Sequence, residues 1–393
     1  MEPFPWYLGQ ICSLWRTTFF SMYSEFWSTI NINAHHRYPH SVWEEAVSVA
    51  TVFLERTEGR PFSFSVDAKH PCPPILDLFI AESTSWKAVS LCLDDDDENI
   101  PLFRNIKNRI PQLRSLAVSI ELGMPRDLPL IFEDVPALTH LSLIHLGNWR
   151  MDWSLLTQLE LSREFNVGRL LRVLSQATNL ERLAFNKFIM NPKALSEKNF
   201  DPVTLPRLRT LEISGLAILR FLTTPALQGL YISKCRQEPL AVICASFFKR
   251  SSCQLQRFGA IQFRPNDFTT ILPYMPDLKV LSMCAPLDLT PEFVESMTCR
   301  TGEQPLMPQL RVLRLSTIIW KDAESFKKML ESRSSDRFLH SVQELKVIVA
   351  WSKSYWGHRD VKHSNIQPRP VEYLYEISTQ FQWACNDLDG WDV

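Results

Sequence analysis

The sequence predicts an α/β fold made of repeated strand–helix units, and two observations lead to this prediction. First, a short segment of the form P-x-L-x-x-L-x-Φ, in which Φ is apolar, recurs along the chain and is first clear at residues 111–118. Second, the segments between the copies carry apolar residues at helical spacing. Neither a lone strand nor a lone helix of this kind can bury its apolar face, so we expect the units to stack on one another.

The segment occurs ten times, which is more than the abundance of leucine explains. Five further copies keep the proline and begin at residues 136, 206, 225, 276 and 308, whereas those that begin at 154, 178, 253 and 340 lack it. Residues 85–91 form a weaker eleventh copy. The first apolar positions of successive copies are 18 to 32 residues apart, about 25 on average, against ~20–29 for a leucine-rich repeat. The sequence therefore predicts a curved leucine-rich-repeat solenoid with irregular repeats.

The alternation of strand and helix begins before the first clear copy. Residues 41–57 are predicted to form a helix, and residues 60–66, which alternate apolar and polar side chains, a strand. Pro73 and Pro74 are expected to open a further helix. Between later copies, helices are predicted over residues 167–174, 240–247 and 268–275.

Strand geometry assigns the candidate binding residues. In L-x-x-L-x-Φ the apolar positions point into the core, and the intervening positions point to the concave face of the solenoid. That face is polar, mixed in sign and somewhat basic, and we expect it to bind a target protein that the sequence does not name. The candidate partner-binding residues are Arg114, His140, Glu181, Arg182, Arg209, Glu212, Lys279, Arg311, Arg314 and Lys346.

Three regions are expected. Residues 34–350 form the solenoid. Residues 1–33 precede it as a small segment with helical spacing of Leu8, Ile11, Cys12 and Trp15, which we interpret from the residues alone as a cap over the first repeat. Residues 351–393 combine a polar, aromatic loop with a predicted helix over 371–385 that closes the last repeat.

The N-terminal segment also carries a family resemblance. Ile11-Cys12 and Trp15-Arg16, followed by Phe26-Trp27 and Ile30, resemble the second half of an F-box as found in fungal F-box/leucine-rich-repeat proteins. The resemblance implies a substrate-recognition subunit of an SCF-type cullin–RING ubiquitin ligase, with a Skp-type adaptor and a target protein as partners. The residues that it assigns to the adaptor contact or the F-box core are Leu8, Ile11, Cys12, Trp15 and Trp27.

An F-box usually opens with a Leu-Pro helix upstream of these residues, and the chain begins only seven residues before Leu8. We therefore expect an N-terminally incomplete F-box, because of either a truncated gene model or a lost adaptor contact. The alternative function is a free-standing leucine-rich-repeat binding module with no ligase link.

Composition excludes several classes of function. The net charge of −1 gives no overall field for nucleic acid or an anionic membrane. The nine cysteines form no C-x-x-C pair, and several lie in apolar runs, which indicates reduced, buried thiols of a cytoplasmic or nuclear protein. The N-terminus lacks a basic region before its apolar stretch, so no signal peptide is expected, and no apolar run reaches the ~18 residues of a transmembrane helix.

Motifs for chemistry are few, and we expect no enzyme activity, no cofactor and no metal. His358, Arg359, Asp360 and Asn365 match the H-R-D-x-x-x-x-N loop of protein kinases, but the sequence carries no glycine-rich phosphate loop and no V-A-I-K strand. The acidic run at residues 94–98 lacks the alternating spacing of a calcium loop. The histidines at 35, 36 and 40 cluster without the support of cysteine or paired carboxylates, so a surface loop is expected rather than a zinc site.

Overall fold

The computed structural model describes most of the chain between residues 27 and 350. The described residues are 12–14, 17–18, 27–34, 40–68, 72–93, 100–120, 128–163, 166–185, 200–233, 240–261, 265–288, 291–300, 306–319, 323–334 and 346–350. Several predictions lie outside them: Leu8, Ile11 and Trp15, the acidic run at 94–98, the histidines at 35 and 36, and the whole of 351–393 with its kinase-like match and capping helix. The chain divides into two compact units, Met1–Glu197 and Lys198–Val393.

The N-terminal unit alternates strands with helices or short 3-10 turns. Its elements are β1 (Thr29–Ala34), α1 (His40–Arg56), β2 (Phe62–Ala68), α2 (Pro73–Ala81), β3 (Trp86–Leu93), β4 (Ser115–Ile120), α3 (Leu128–Ile131), β5 (His140–Leu143), β6 (Gln158–Leu161), α4 (Val167–Gln176) and β7 (Arg182–Phe185). The strands β1 to β7 pair in parallel and in chain order. The described fold is therefore α/β with a parallel sheet, as predicted.

The C-terminal unit follows the same plan. Its elements are β8 (Val203–Thr204), β9 (Thr210–Ser214), β10 (Leu222–Thr223), β11 (Gly229–Ser233), α5 (Leu240–Ser251), β12 (Arg257–Ile261), α6 (Pro265–Ile271), β13 (Val280–Asp288), α7 (Pro291–Met297), β14 (Val312–Ile319), α8 (Ala323–Ser334) and β15 (Lys346–Ala350). Strands β9, β11, β12, β13, β14 and β15 pair in parallel in that order, while β8 and β10 form a small separate pair.

The strands begin at the same point of each repeat, because the repeat itself encodes the burial pattern. In the repeat that contains β4, for example, Leu113, Leu116 and Val118 are buried, and Ser115 and Ala117 between them are half-buried. The alternation has the period of two that a strand with one buried face requires. Successive copies pair in register, as Leu116 with Leu141 shows.

The first strand starts earlier than the predicted boundary at 33/34. β1 pairs with β2 so that Ile30 lies beside Phe64 and Ile32 beside Val66. Trp27, Ile30 and Ile32 therefore occupy the three apolar positions of a further L-x-x-L-x-Φ copy, and all three are buried. The sheet begins at residue 29 because this segment has the burial pattern of a repeat.

In the two intervals between copies that the structure describes in full, the helix that we predicted for every unit is absent. The intervals of 18 and 19 residues after Leu138 and Leu208 hold only 3-10 turns, at Trp153–Leu155 and Ala217–Phe221, before the next strand of the sheet. A strand, two loops and a helix of ordinary length do not fit into so short an interval, whereas a 3-10 turn does. The helices predicted at 41–57, after Pro73, at 167–174 and at 240–247 are confirmed. The one predicted at 268–275 is an α-helix only to Ile271 and continues as a 3-10 turn at Leu272–Tyr274, and the one at 371–385 lies outside the described residues. Val167, Leu170, Leu171 and Leu174 of α4 all face the core.

The register of the last strand differs from the prediction by two residues. The copy at 340–347 places Lys346 opposite Arg314, but in the structure Lys346 pairs with Val312 and Ile348 pairs with Arg314. A shift of two residues keeps every side chain on its own face of the sheet. The apolar pattern alone could therefore not distinguish the two registers.

Candidate protein-interaction surface

The face of each sheet opposite the buried leucines carries three rows of side chains, which we call the open face. The first row holds the residue after the first leucine of each repeat, such as Arg114, and the second row the residue after that, such as Ser115. The third row holds the residue before the last apolar position, such as Ala117. Each row follows one hydrogen-bonded register from strand to strand.

Backbone hydrogen bonds hold the rows in line. The carbonyl oxygen of the first-row residue accepts two N–H groups of the next repeat; Arg114 O, for example, lies 2.9 Å from both Thr139 N and His140 N. The same pair of bonds recurs at Thr139, Thr157, Arg209, Gln228, Gln256 and Lys279. Equivalent residues therefore lie one strand apart, at about 4.8 Å, along each unit.

The structure distributes the predicted binding residues over all three rows. Arg114, Glu181, Arg209, Lys279 and Arg311 belong to the first row, and each is exposed or half-buried. His140 and Arg182 lie in the second row. Glu212 and Arg314 lie in the third row, and the backbone of Lys346 lies in the second.

Glu212 is the exception to the predicted exposure, because only 7% of its surface is accessible. Its backbone pairs with that of Tyr231 in the register of β9 and β11, so its surroundings include the next repeat. The residue pattern of one repeat contains no information about the residues that the following repeat places next to it. Glu212 is therefore corrected from an exposed contact residue to a buried acid within the third row.

The two units present different open faces. In the N-terminal unit the second and third rows consist largely of small side chains, including Ser63, Ser65, Ala88, Ser90, Ser115, Ala117, Ser142 and Ala184. Its charged side chains are of both signs and include Arg114, Arg182, Glu160 and Glu181. Small side chains leave the backbone accessible to close approach by a partner.

The open face of the C-terminal unit has larger side chains that lie flat on the sheet. A Cβ atom placed on Gly259 would be 2.6 Å from Cδ1 of Tyr231, so the tyrosine ring covers this glycine. A Cβ atom on Gly229 would lie 3.5 Å from both Cε2 of Tyr231 and Nε of Arg257. The two glycines thus provide the space in which Tyr231 and Arg257 lie side by side.

Arg314 completes this cluster from the other side. The third row runs from Tyr231 through Gly259 and Ser282 to Arg314. Burial lowers the pKa of the Arg314 guanidinium, and its electrostatic interaction with Tyr231 opposes that shift. Tyr231 and Arg314 are therefore within electrostatic range of each other on the third row.

Sequence reasoning missed Tyr231, Arg257 and Ser282. Each nevertheless occupies an intervening position of its L-x-x-L-x-Φ copy, and that position was a sufficient signal. It also missed Leu14, which is 71% exposed and lies close to the exposed Cys12 in the N-terminal segment.

Trp27, in contrast, is only 1% exposed. Its ring meets Phe53 edge-on at 5.1 Å between centroids, and the Arg56 guanidinium lies 4.4 Å above it. Both partners belong to α1, so Trp27 is part of the core of the first repeat and offers no surface to an adaptor.

Searches against protein-family models and curated proteins find no match to this chain. Among the described residues, no helix is both long and apolar enough to cross a membrane. The described part also contains no group of three histidine, cysteine or acidic side chains that could hold a metal ion. Function therefore has to be inferred from the open faces and the N-terminal segment.

Proposed function

We propose that the chain is a protein-interaction scaffold, that its repeats form a leucine-rich-repeat solenoid, and that its open face binds a target protein. The observation that carries this proposal is the register of the repeats. One strand from each repeat pairs in parallel with the next, so three rows of polar or small side chains recur on one face while the leucines are buried. Such a surface recognises a partner by shape and a few anchoring side chains.

The finer proposal is the target-recognition subunit of an SCF-type cullin–RING ubiquitin ligase, acting in the cytoplasm or nucleus. It is supported by the F-box resemblance around Ile11, Cys12 and Trp15 and by the exposed Leu14 in the same segment. In this role the N-terminal segment docks on a Skp-type adaptor and the open face holds the target. The chain then positions proteins, and the bond-forming steps belong to other subunits.

Adaptor binding is the experiment that tests the ligase role. The full chain is expected to bind a purified Skp-type adaptor in a pull-down and by calorimetry, and Leu14→Asp is expected to abolish binding because it places a charge on the exposed apolar contact. Val242→Asp is the matched control, since Val242 is 69% exposed but lies on α5 of the C-terminal unit. If the wild-type chain does not bind the adaptor, or if both variants lose binding equally, the ligase role is wrong.

A second candidate is a free-standing interaction module without an adaptor. The placement of Trp27 and Ile30 favours it, because these residues match the second part of the F-box pattern but are buried in the first repeat of the sheet. The same pull-down separates the candidates. A chain that captures a defined target protein and ignores the adaptor is a free-standing module.

A further inference from the structure

The open face of the C-terminal unit is strongly basic. Its described side chains include five cations and a single acid, Glu212. The cations are Arg209, Arg257, Lys279, Arg311 and Arg314. Glu212 is buried, whereas Arg209 and Arg311 are exposed. The open face of the N-terminal unit is balanced by comparison. The charge is therefore concentrated on one face of one unit, although the whole chain has a net charge of only −1.

The cations are spread over the face and do not converge on one point. Arg209, Lys279 and Arg311 lie in the first row on separate repeats, Arg257 in the second row and Arg314 in the third. Neighbouring strands are about 4.8 Å apart, so the row from β9 to β14 extends over roughly 20 Å. An extended peptide covers that length in about six residues. The spacing suits several carboxylates on one strand-like segment better than one phosphate group.

Two polar groups within this surface have hydrogen-bonding capacity that the described residues do not use. Nε of Arg257 and Oγ of Ser282 are buried beneath neighbouring side chains, and neither has a hydrogen-bond partner among the described residues. Buried donors of this kind are costly unless they are satisfied, and an arginine N–H is best satisfied by an anionic oxygen. Both atoms lie next to the platform formed by Tyr231 over Gly259.

We propose that the open face of the C-terminal unit binds an extended acidic segment of the target protein. The inference rests on the proposed function as a protein-binding scaffold and adds the chemistry of the target. The carboxylates pair with the first-row cations and with Arg257 and Arg314, and the peptide backbone lies over Tyr231. Nucleic acid is disfavoured, because the basic area is confined to one unit and the overall charge does not attract a polyanion.

The test uses the full chain and a short fluorescein-labelled peptide of alternating glutamate and serine, with fluorescence anisotropy as the readout. We expect this peptide to bind, and the same peptide with glutamine for glutamate not to bind. The double variant Arg209→Glu/Arg311→Glu is expected to weaken binding about tenfold, because two exposed charge pairs are reversed. Arg172→Glu is the matched control, since Arg172 is an exposed arginine on α4 and does not belong to an open face, and it is expected to leave binding unchanged.

Four outcomes would overturn the inference. They are the absence of binding by the acidic peptide, an equal loss in Arg172→Glu, tighter binding of a glutamine peptide with one phosphoserine, and tighter binding of an oligothymidylate. Circular dichroism establishes that each variant is folded. Adaptor binding by the same preparations depends on the N-terminal segment, so a chain that binds adaptor but not the acidic peptide refutes only the acidic-segment inference.

Discussion

Gly259 shows how a single residue sets the geometry of the open face, because the ring of Tyr231 occupies the space of the missing side chain. Gly259→Ala is expected to displace that ring and to make the protein about 1 kcal/mol less stable than Gly229→Ala, whose Cβ meets only ordinary contacts. Urea unfolding of the two variants measures the difference. When Tyr231→Ala is the background, the penalty at Gly259 should disappear; a penalty that persists would show that the ring is not its cause.

Cys72, which directly precedes α2, links stability to alkaline pH. Burial raises the pKa of its thiol from 9.0 to about 12 in the folded chain. The unfolded thiol loses its proton first, so the stabilisation is complete below about pH 9 and is lost as the pH rises toward 12. Between pH 9 and 11 the wild-type protein should lose about 1.4 kcal/mol per pH unit more than Cys72→Ala. Parallel stability curves for the two proteins, obtained by urea unfolding, would refute this assignment.

At the residue level, the sequence predicted well which positions lie on the open face. It predicted less well how much of each side chain is exposed to solvent. Arg114 and Arg311 are exposed as the pattern indicated. Glu212 is not, since its surroundings depend on Tyr231 of the following repeat. The pattern also assigned Trp27 to the F-box match, although the same spacing fits a repeat. Side-chain contacts between repeats are long-range information that a local motif does not contain.

At the level of elements, an arginine connects each of two helices, α5 and α8, to the repeat before it. In α5, Arg250 donates from Nη2 to Leu219 O at 2.6 Å and from Nε to Leu222 O at 3.1 Å. In α8, Arg333 donates to Met297 O at 2.6 Å, Leu306 O at 2.8 Å and Met307 O at 3.3 Å. These carbonyl groups lie at or near the ends of their elements, where few backbone donors are available. The arginines thus satisfy them where repeats of unequal length meet.

Arg333→Ala is expected to destabilise the protein by about 3 kcal/mol, because it removes three hydrogen bonds from a charged donor to the carbonyl groups of Met297, Leu306 and Met307. Arg333→Lys should recover only part of this loss, since an ammonium group cannot reach carbonyls on both sides as the planar guanidinium does. Thermal or urea unfolding measures both effects.

The control for Arg333 is Arg300→Ala, which breaks an exposed ion pair with Glu295 and should cost under ~1 kcal/mol. Equal losses in Arg333→Ala and Arg300→Ala would mean that the three carbonyl contacts contribute no more than a surface charge.

Helices and strands differed in how well the sequence predicted them. The strands follow from L-x-x-L-x-Φ, which states both their start and their buried face. The segment that connects one strand to the next is a helix or a 3-10 turn, depending on the number of residues between copies of the repeat. The intervals of 18 and 19 residues after Leu138 and Leu208 are long enough only for a 3-10 turn. The two-residue shift of β15 was not predictable, because both registers bury the same face.

At the scale of the whole molecule, neighbour-to-neighbour pairing makes stability a local property. Each strand of the described sheet pairs with the strands of adjacent repeats, and the packed helices are likewise neighbours in the chain, as α1 with α2 and α7 with α8. The free energy of unfolding is then close to a sum of repeat and interface contributions, and a lesion at one end affects the other end little. A two-state description of the entire chain is therefore not expected to hold.

Hydrogen exchange on two variants tests this expectation. Trp27→Ala creates a cavity between β1 and α1, with a typical cost of ~3–5 kcal/mol, and should reduce protection in β1, α1 and β2 while α5 to α7 remain protected. Arg333→Ala should reduce protection in α7, β14 and α8 and leave α1 unchanged. The two patterns are predicted to be complementary because each lesion changes only its own repeat and the adjoining interface. A uniform loss of protection in both units, in either variant, would instead show that the chain unfolds as one cooperative body.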